Sequence, residues 1–334
     1  MALPNLFSRI SQKLPFRRSR KVIYNRNHPL SAGFTLLELL VAMIVASIVV
    51  SGLLYLVVEL LQIDRRESTL TRVQQDMQRA IDYVADDIKE AVYIYDDLSW
   101  IDDPTDNGLN DLPSGAVPIL AFWRPDAIDV GDLPNDCNTL GSASTSDQCE
   151  VLKIRQSAYS LVVYLQKARD TNANWSGESR IIRYELDKYS NLANLTPTPG
   201  YRDPALEGVD FSTWSSSGMT QGSKAVLVDF VAAPTAPYNK APLSDSCSSL
   251  GANYNIVPST ANSTSATSFF ACIKDPSPDL AGAEGNGNQD AYLFLRGSVD
   301  GAGGAINAFS DDSALPTLET RVLMRGVINK NPAE

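Results

Sequence analysis

Glu38 is an acid placed where acids are costly. It closes the segment Gly33-Phe34-Thr35-Leu36-Leu37-Glu38 and stands directly ahead of twenty uncharged residues, Leu39 to Val58. A charged side chain at bilayer depth costs roughly 2.5–3.5 kcal/mol on insertion scales. Such a group calls for a cationic partner, so the chemistry to expect is neutralisation of charge in an apolar medium. A local role competes: an acid in the first turn of a helix gains roughly 0.3–1 kcal/mol from the helix dipole. That gain is smaller than the cost, which favours a partner. Catalytic groups are scarce. The single histidine, His28, lies upstream of this segment. The rest of the chain therefore lacks the imidazole of Ser-His or Cys-His nucleophiles and of histidine metal sites. No GxxxxGK[ST] phosphate loop occurs either. The expected role is structural, not enzymatic.

The element that must position Glu38 is a helix. Leu39 to Val58 can cross a hydrocarbon core of about 30 Å at 1.5 Å per residue. Residues 1–33 form a leader with seven Lys and Arg (Arg9, Lys13, Arg17, Arg18, Arg20, Lys21, Arg26) and no acid. That asymmetry predicts a cytoplasmic leader and a translocated chain after Val58.

The stretch GFTLLELLVAMIVASIVV resembles the N-terminal signature of type IV pilins and type II secretion pseudopilins. The resemblance implies cleavage after Gly33 by a dedicated inner-membrane prepilin peptidase. Phe34 would be the new N-terminus, usually N-methylated, and Glu38 the acid that neutralises a terminal amine, its own or a neighbour's. A secretory signal would instead be cut after its apolar region at an A-x-A-like site, and VVSGLLYLVVELLQ offers no good one. The resemblance further implies lateral packing of residues 34–58 with other pilins and work with an inner-membrane assembly platform. The head would lie outside the cytoplasmic membrane, then in a pilus or pseudopilus. Its bulk points to a minor component supporting motility, adhesion or export, and retention of Glu38 fits a J-type or W-type subunit. QRAIDYVADDIKEAVYIYD and TRVLMRGVINK also look like cyanobacterial pseudopilins linked to polysaccharide secretion. Many pilins carry a proline in the hydrophobic half. This chain has only Gly52 there.

The chain holds 28 basic and 39 acidic residues, net −11. Loss of the leader's seven basic residues leaves 21 against 39, a net of −18. So acidic a product argues against nucleic acid as a partner. Four cysteines, Cys137, Cys149, Cys247 and Cys272, all follow the apolar run. In an oxidising compartment they suggest two disulfides, for which three pairings exist. The local pairs Cys137–Cys149 and Cys247–Cys272 are favoured, because each brackets a polar, turn-rich segment. Zinc fits poorly, since no CxxC and no nearby histidine occur.

Beyond the membrane the helix should continue. Leu70, Val73, Met77, Ile81, Val84, Ile88 and Val92 recur with a helical period, a one-sided apolar stripe. Arg72, Gln75, Asp76, Arg79, Asp82, Asp86, Asp87, Lys89 and Glu90 take the opposite side. One helix from about Phe34 to Tyr95, roughly 90 Å long, is expected. Its 34–58 part is the assembly segment and its 59–95 part lies against a head formed by 96–334. Strands are expected at Val117–Trp123, Ser160–Gln166, Arg180–Leu186, Lys224–Val231, Ser268–Ile273, Ala291–Arg296 and Arg321–Ile328. The second and third should pair as a hairpin, and Val151–Ser157 is ambiguous between strand and helical turn. Polar stretches 233–267, 274–290 and 297–317 read as surface insertions. The fold class is α+β, a long helix on a mostly antiparallel sheet. The pilin resemblance implies the same arrangement.

Two weaker sites remain. The acidic run Asp96, Asp97, Asp102, Asp103, Asp106, Asn107, Asn110 and Asp111 has hard oxygen ligands of the kind calcium takes, but not the D-x-[DN]-x-[DN]-G order. A solvated charge run explains it equally. Trp100, Trp123, Trp175 and Trp214, if exposed, could stack on sugar rings; core packing is the commoner use of tryptophan. Two rival functions follow: a pilin-anchored adhesin or glycan-binding protein, and a tethered hydrolase with two acids about 5–10 Å apart.

Overall fold

The computed structural model describes residues 33–101, 108–171, 174–206, 209, 211–233, 245–251, 253–258, 268–274, 289–299, 315 and 317–324. The chain divides into two compact units, Met1–Glu59 and Leu60–Glu334. Of the proposed leader, residues 1–33, all but Gly33 lie outside the described residues. A single helix, α1 (Leu36–Lys89), contributes to both units.

In the first unit every described residue is exposed. In the second, α1 buries Val73, Met77, Ile81, Val84 and Ile88, each at 3% exposure or less, as the stripe predicts. The helix stops earlier than the periodicity suggests. After Lys89 the chain turns, and Tyr93–Ile94 becomes β1. Aromatic and β-branched residues there find ladder bonds on a sheet edge: the Val92 N–H donates to the Trp123 carbonyl at 2.8 Å and that of Tyr95 to Ala121 at 2.9 Å.

The main sheet has the order β1-β2-β3-β4-β7, all antiparallel, with β2 (Ala116–Ala127), β3 (Ser157–Ala168), β4 (Ser179–Leu186) and β7 (Ser223–Val231). The hairpin of β3 and β4 is as expected. Leu120 to Trp123 and Leu161 to Leu165 are fully buried, so both faces of the central strands are covered. Strand alternation assigns the faces. Leu120, Phe122, Val162 and Tyr164 look toward α1, since the Tyr164 hydroxyl reaches Asp87. Trp123, opposite, meets Tyr201, Phe211 and Trp214 from the segment that precedes β7.

A second antiparallel sheet, β11-β10-β9-β8, comprises β8 (Tyr254–Val257), β9 (Phe269–Lys274), β10 (Asp290–Leu295) and β11 (Leu318–Leu323). The last strand expected, Arg321–Ile328, begins three residues earlier, and its 325–328 part lies outside the described residues. A bridge from Val231 to Gly297 links the sheets. Gly297 has no room for a side chain: a Cβ there would sit 2.8 Å from Met77 Cγ of α1. A short hairpin joins β5 (Tyr189–Asn191) and β6 (Thr196–Pro197).

Besides β1 and the β5–β6 hairpin, three further elements were not expected. α2 (Ala143–Arg155) resolves the ambiguous Val151–Ser157 as mostly helix, ended by Gln156 in the left-handed region at φ 52°. The stretch 233–267, expected to be surface insertion, contains α3 (Asp245–Leu250) as well as β8. Two disulfides with a few scattered apolar residues around each, rather than a long hydrophobic run, hold these pieces, so periodicity could not find them.

Candidate functional site

Within the first unit the site is the start of α1. The Thr35 carbonyl accepts the N–H groups of Glu38 at 3.1 Å and Leu39 at 3.2 Å, and its hydroxyl accepts the Glu38 N–H at 3.3 Å. Thr35 is therefore the helix N-cap and Glu38 the third helical residue, the T-x-x-E spacing of a capping box. Sequence reasoning weighed the dipole at Glu38 but missed Thr35, although the spacing was legible. Cleavage before Phe34 would leave this cap in place. The Glu38 side chain is exposed in an apolar stretch where Leu36, Leu37 and Met43 are also exposed, at 89%, 74% and 66%. A side chain at Gly33 would meet nothing within 4 Å. The fold itself thus makes no demand for glycine there.

In the second unit the calcium candidates separate. Asp102, Asp103, Asp106 and Asn107 lie outside the described residues. Asp111 is spent on the chain itself: it accepts from the Tyr184 hydroxyl at 2.8 Å, the Thr220 hydroxyl at 2.6 Å, the Gly222 N–H at 2.9 Å and Lys224 Nζ at 2.8 Å. Burial pushes its carboxyl up, but Lys224 and the three other donors more than offset this and hold it below the ordinary carboxylate value. Asn110 fastens the same place, accepting from the Thr220 N–H at 2.8 Å. Asp97 caps Ser99, and Asp96 accepts from Asn255 at 3.0 Å. Asp96, Asn110 and Asp111 thus tie the two described ends of the 96–111 segment to distant parts of the head.

The tryptophans correct the stacking hypothesis. Trp123 and Trp214 are buried and Trp100 is half-buried, in one aromatic cluster with Tyr95. Trp123 Nε1 donates to the Tyr95 hydroxyl at 2.9 Å. Only Trp175 is exposed, at 41%.

Asp87 corrects the helix-face assignment. It is 7% exposed, receives Arg183 Nε at 2.8 Å and the Tyr164 hydroxyl at 2.7 Å, and pairs with Arg124 at 3.2 Å. Glu185 joins both guanidiniums, 2.6 Å from Arg183 and 2.9 Å from Arg124. Burial alone would raise the Glu185 carboxyl, but these two cations hold it low. The network pins the last turn of α1 to β2 and β4. The cysteines pair as Cys137–Cys149 and Cys247–Cys272, all four buried.

Residues 29–54 match the family model described as the prokaryotic N-terminal methylation motif. No curated protein and no solved structure matches the chain. The motif is that of type IV pilin-like proteins, which are processed by prepilin peptidase and assemble with other pilins, and it is a mark of structural proteins. Among the described residues one helix, α1, is long and apolar enough to cross a membrane. A motif of this kind followed by one apolar helix fits a single-pass membrane-anchored protein.

Proposed function

We propose that this protein is a minor pilin or pseudopilin, cut between Gly33 and Phe34, methylated at Phe34, and carried into a filament by its N-terminal helix. One observation carries this reading: a capped helix presents an acid at its third position inside an apolar stretch that its own unit leaves wholly exposed. Such a surface needs lipid or neighbouring helices around it, and such an acid needs a cation. A terminal amine at Phe34 would lie in the turn next to Glu38. The head, residues 96–334 with the second half of α1, would stand outside the cytoplasmic membrane, where both disulfides persist. Its size suits a subunit near the tip of a filament, of the J-type or W-type. The work is mechanical, with assembly energy supplied from the cytoplasm.

Mass spectrometry of the protein recovered from cells tests the cleavage. The expected chain begins at methylated Phe34. A chain that keeps residues 1–33 overturns the reading. The Glu38→Ala variant should insert normally and fail to enter filaments, and wild-type incorporation would remove the pairing role.

A further inference from the structure

The head carries a cleft that the filament reading does not use. It lies where α2, the start of β3 and the β5–β6 hairpin meet, with a volume of 440 Å³. That falls in the range of small-molecule sites. Its floor is apolar, with Leu152 buried and Ala158 half-buried. Two tyrosine rings line it, each beneath a cation: Arg155 lies 5.5 Å from the Tyr159 centroid, and Lys188 Nζ lies 5.4 Å from that of Tyr189. The cations differ in what else they hold. Lys188 is neutralised by Asp203 at 2.5 Å. Arg155 is exposed, and no carboxylate partner is found for it among the described residues. Nor is Arg155 needed to cap α2, whose last turn also carries Lys153, donating to the Asn135 carbonyl at 3.0 Å.

The walls are held rigidly. The Cys137–Cys149 disulfide ties α2 to the preceding 3-10 turn, and the Tyr201 hydroxyl donates to the Tyr159 carbonyl at 2.6 Å. Gln148, Ser144 and Ser157 add amide and hydroxyl groups along the wall. A planar guanidinium that matches a carboxylate bidentately, ring faces, and neutral hydrogen-bonding groups form a definite set. We infer that this cleft binds an acidic sugar, a polyhydroxylated ring bearing a carboxylate, with Arg155 paired to the carboxylate and the tyrosines against the ring. The chain's net charge is negative and the cleft is also lined by Asp147 and by Asp203, the latter paired with Lys188, so attraction of an anion rests on Arg155 alone. Residues 33–59 play no part, so the cleft and the filament reading stand or fall separately.

The test titrates the full chain in detergent micelles with digalacturonate, and with its neutral methyl ester, by calorimetry. Saturable binding of the acid is expected at a dissociation constant of about 0.1–1 mM. The ester and the Arg155→Gln variant should each bind at least about tenfold more weakly, with partial recovery in Arg155→Lys. Absence of saturation by the acid up to about 10 mM overturns the proposal. So does an Arg155→Gln protein that binds as the wild type does, or an ester that binds as well as the acid.

Discussion

α1 is one helix with two opposite fates. From Leu36 to Val58 its apolar side chains are about half exposed or more, whichever way they point. From Val73 to Ile88 eight of the sixteen residues are buried and the others are half-buried or exposed. The first pattern is right for a medium as apolar as the side chains, and the second for a helix with a sheet on one side. The lesson concerns where stability comes from. The head is held by its own core, whereas the described residues of the first unit bury nothing.

Substitutions should therefore separate the two regions. The largest effect is expected from Gly33→Leu. It should abolish maturation, read as retention of the leader by mass, while leaving head unfolding unchanged because no contact of the fold is touched. A shifted melting temperature in that variant would break the separation. Next comes Asp87→Ala, which strips two half-buried guanidiniums of the more buried of the two acids they share. A loss of roughly 3 kcal/mol is expected, or roughly 6–12 °C in the melting temperature. Processing at Gly33 should be normal in the same protein.

Replacing Cys137 and Cys149 by alanine, which opens a short loop of 12 residues, should cost about 2–3 kcal/mol by chemical denaturation. It sharpens the contrast inside the head, since the loss should fall on the α2 region first, as amide exchange would show. The smallest effect is the pH response of Asp111. Its folded carboxyl titrates below its ordinary value. Its contribution is therefore complete above about pH 4 and lost as pH falls through the depressed folded value. Asp111→Asn should flatten the acid limb of a stability–pH curve by on the order of 1 kcal/mol. An unchanged limb would show that Lys224, Thr220 and Tyr184 do not stabilise the charged form.

The candidate site was largely legible because it is local. Gly33, Phe34, Thr35 and Glu38 fall within six consecutive residues, and a helix start is governed by a few hydrogen bonds between near neighbours. Even there the cap was overlooked. The head yielded less. Seven strands could be read from runs of β-branched and aromatic residues, yet β1 was read as helix because Val92 keeps the helical period. Trp123 and Trp214 look alike as exposed stacking platforms or as core residues until the fold places them.

The order of amino acids alone settled the long helix, its change from all-round apolar to one-sided, the acid near its start and the α+β class. Periodicity and the dielectric cost of charge act within a few turns of chain, so they need no distant partner. Tertiary structure alone decided that Asp87 is buried and not solvated, and that Asp111 is a fastener within the head. It also decided that α2 and the β5–β6 hairpin enclose a cleft beside Arg155. Each depends on groups tens to more than a hundred residues apart. Burial and charge pairing at that range are set by packing and leave no local pattern in the sequence.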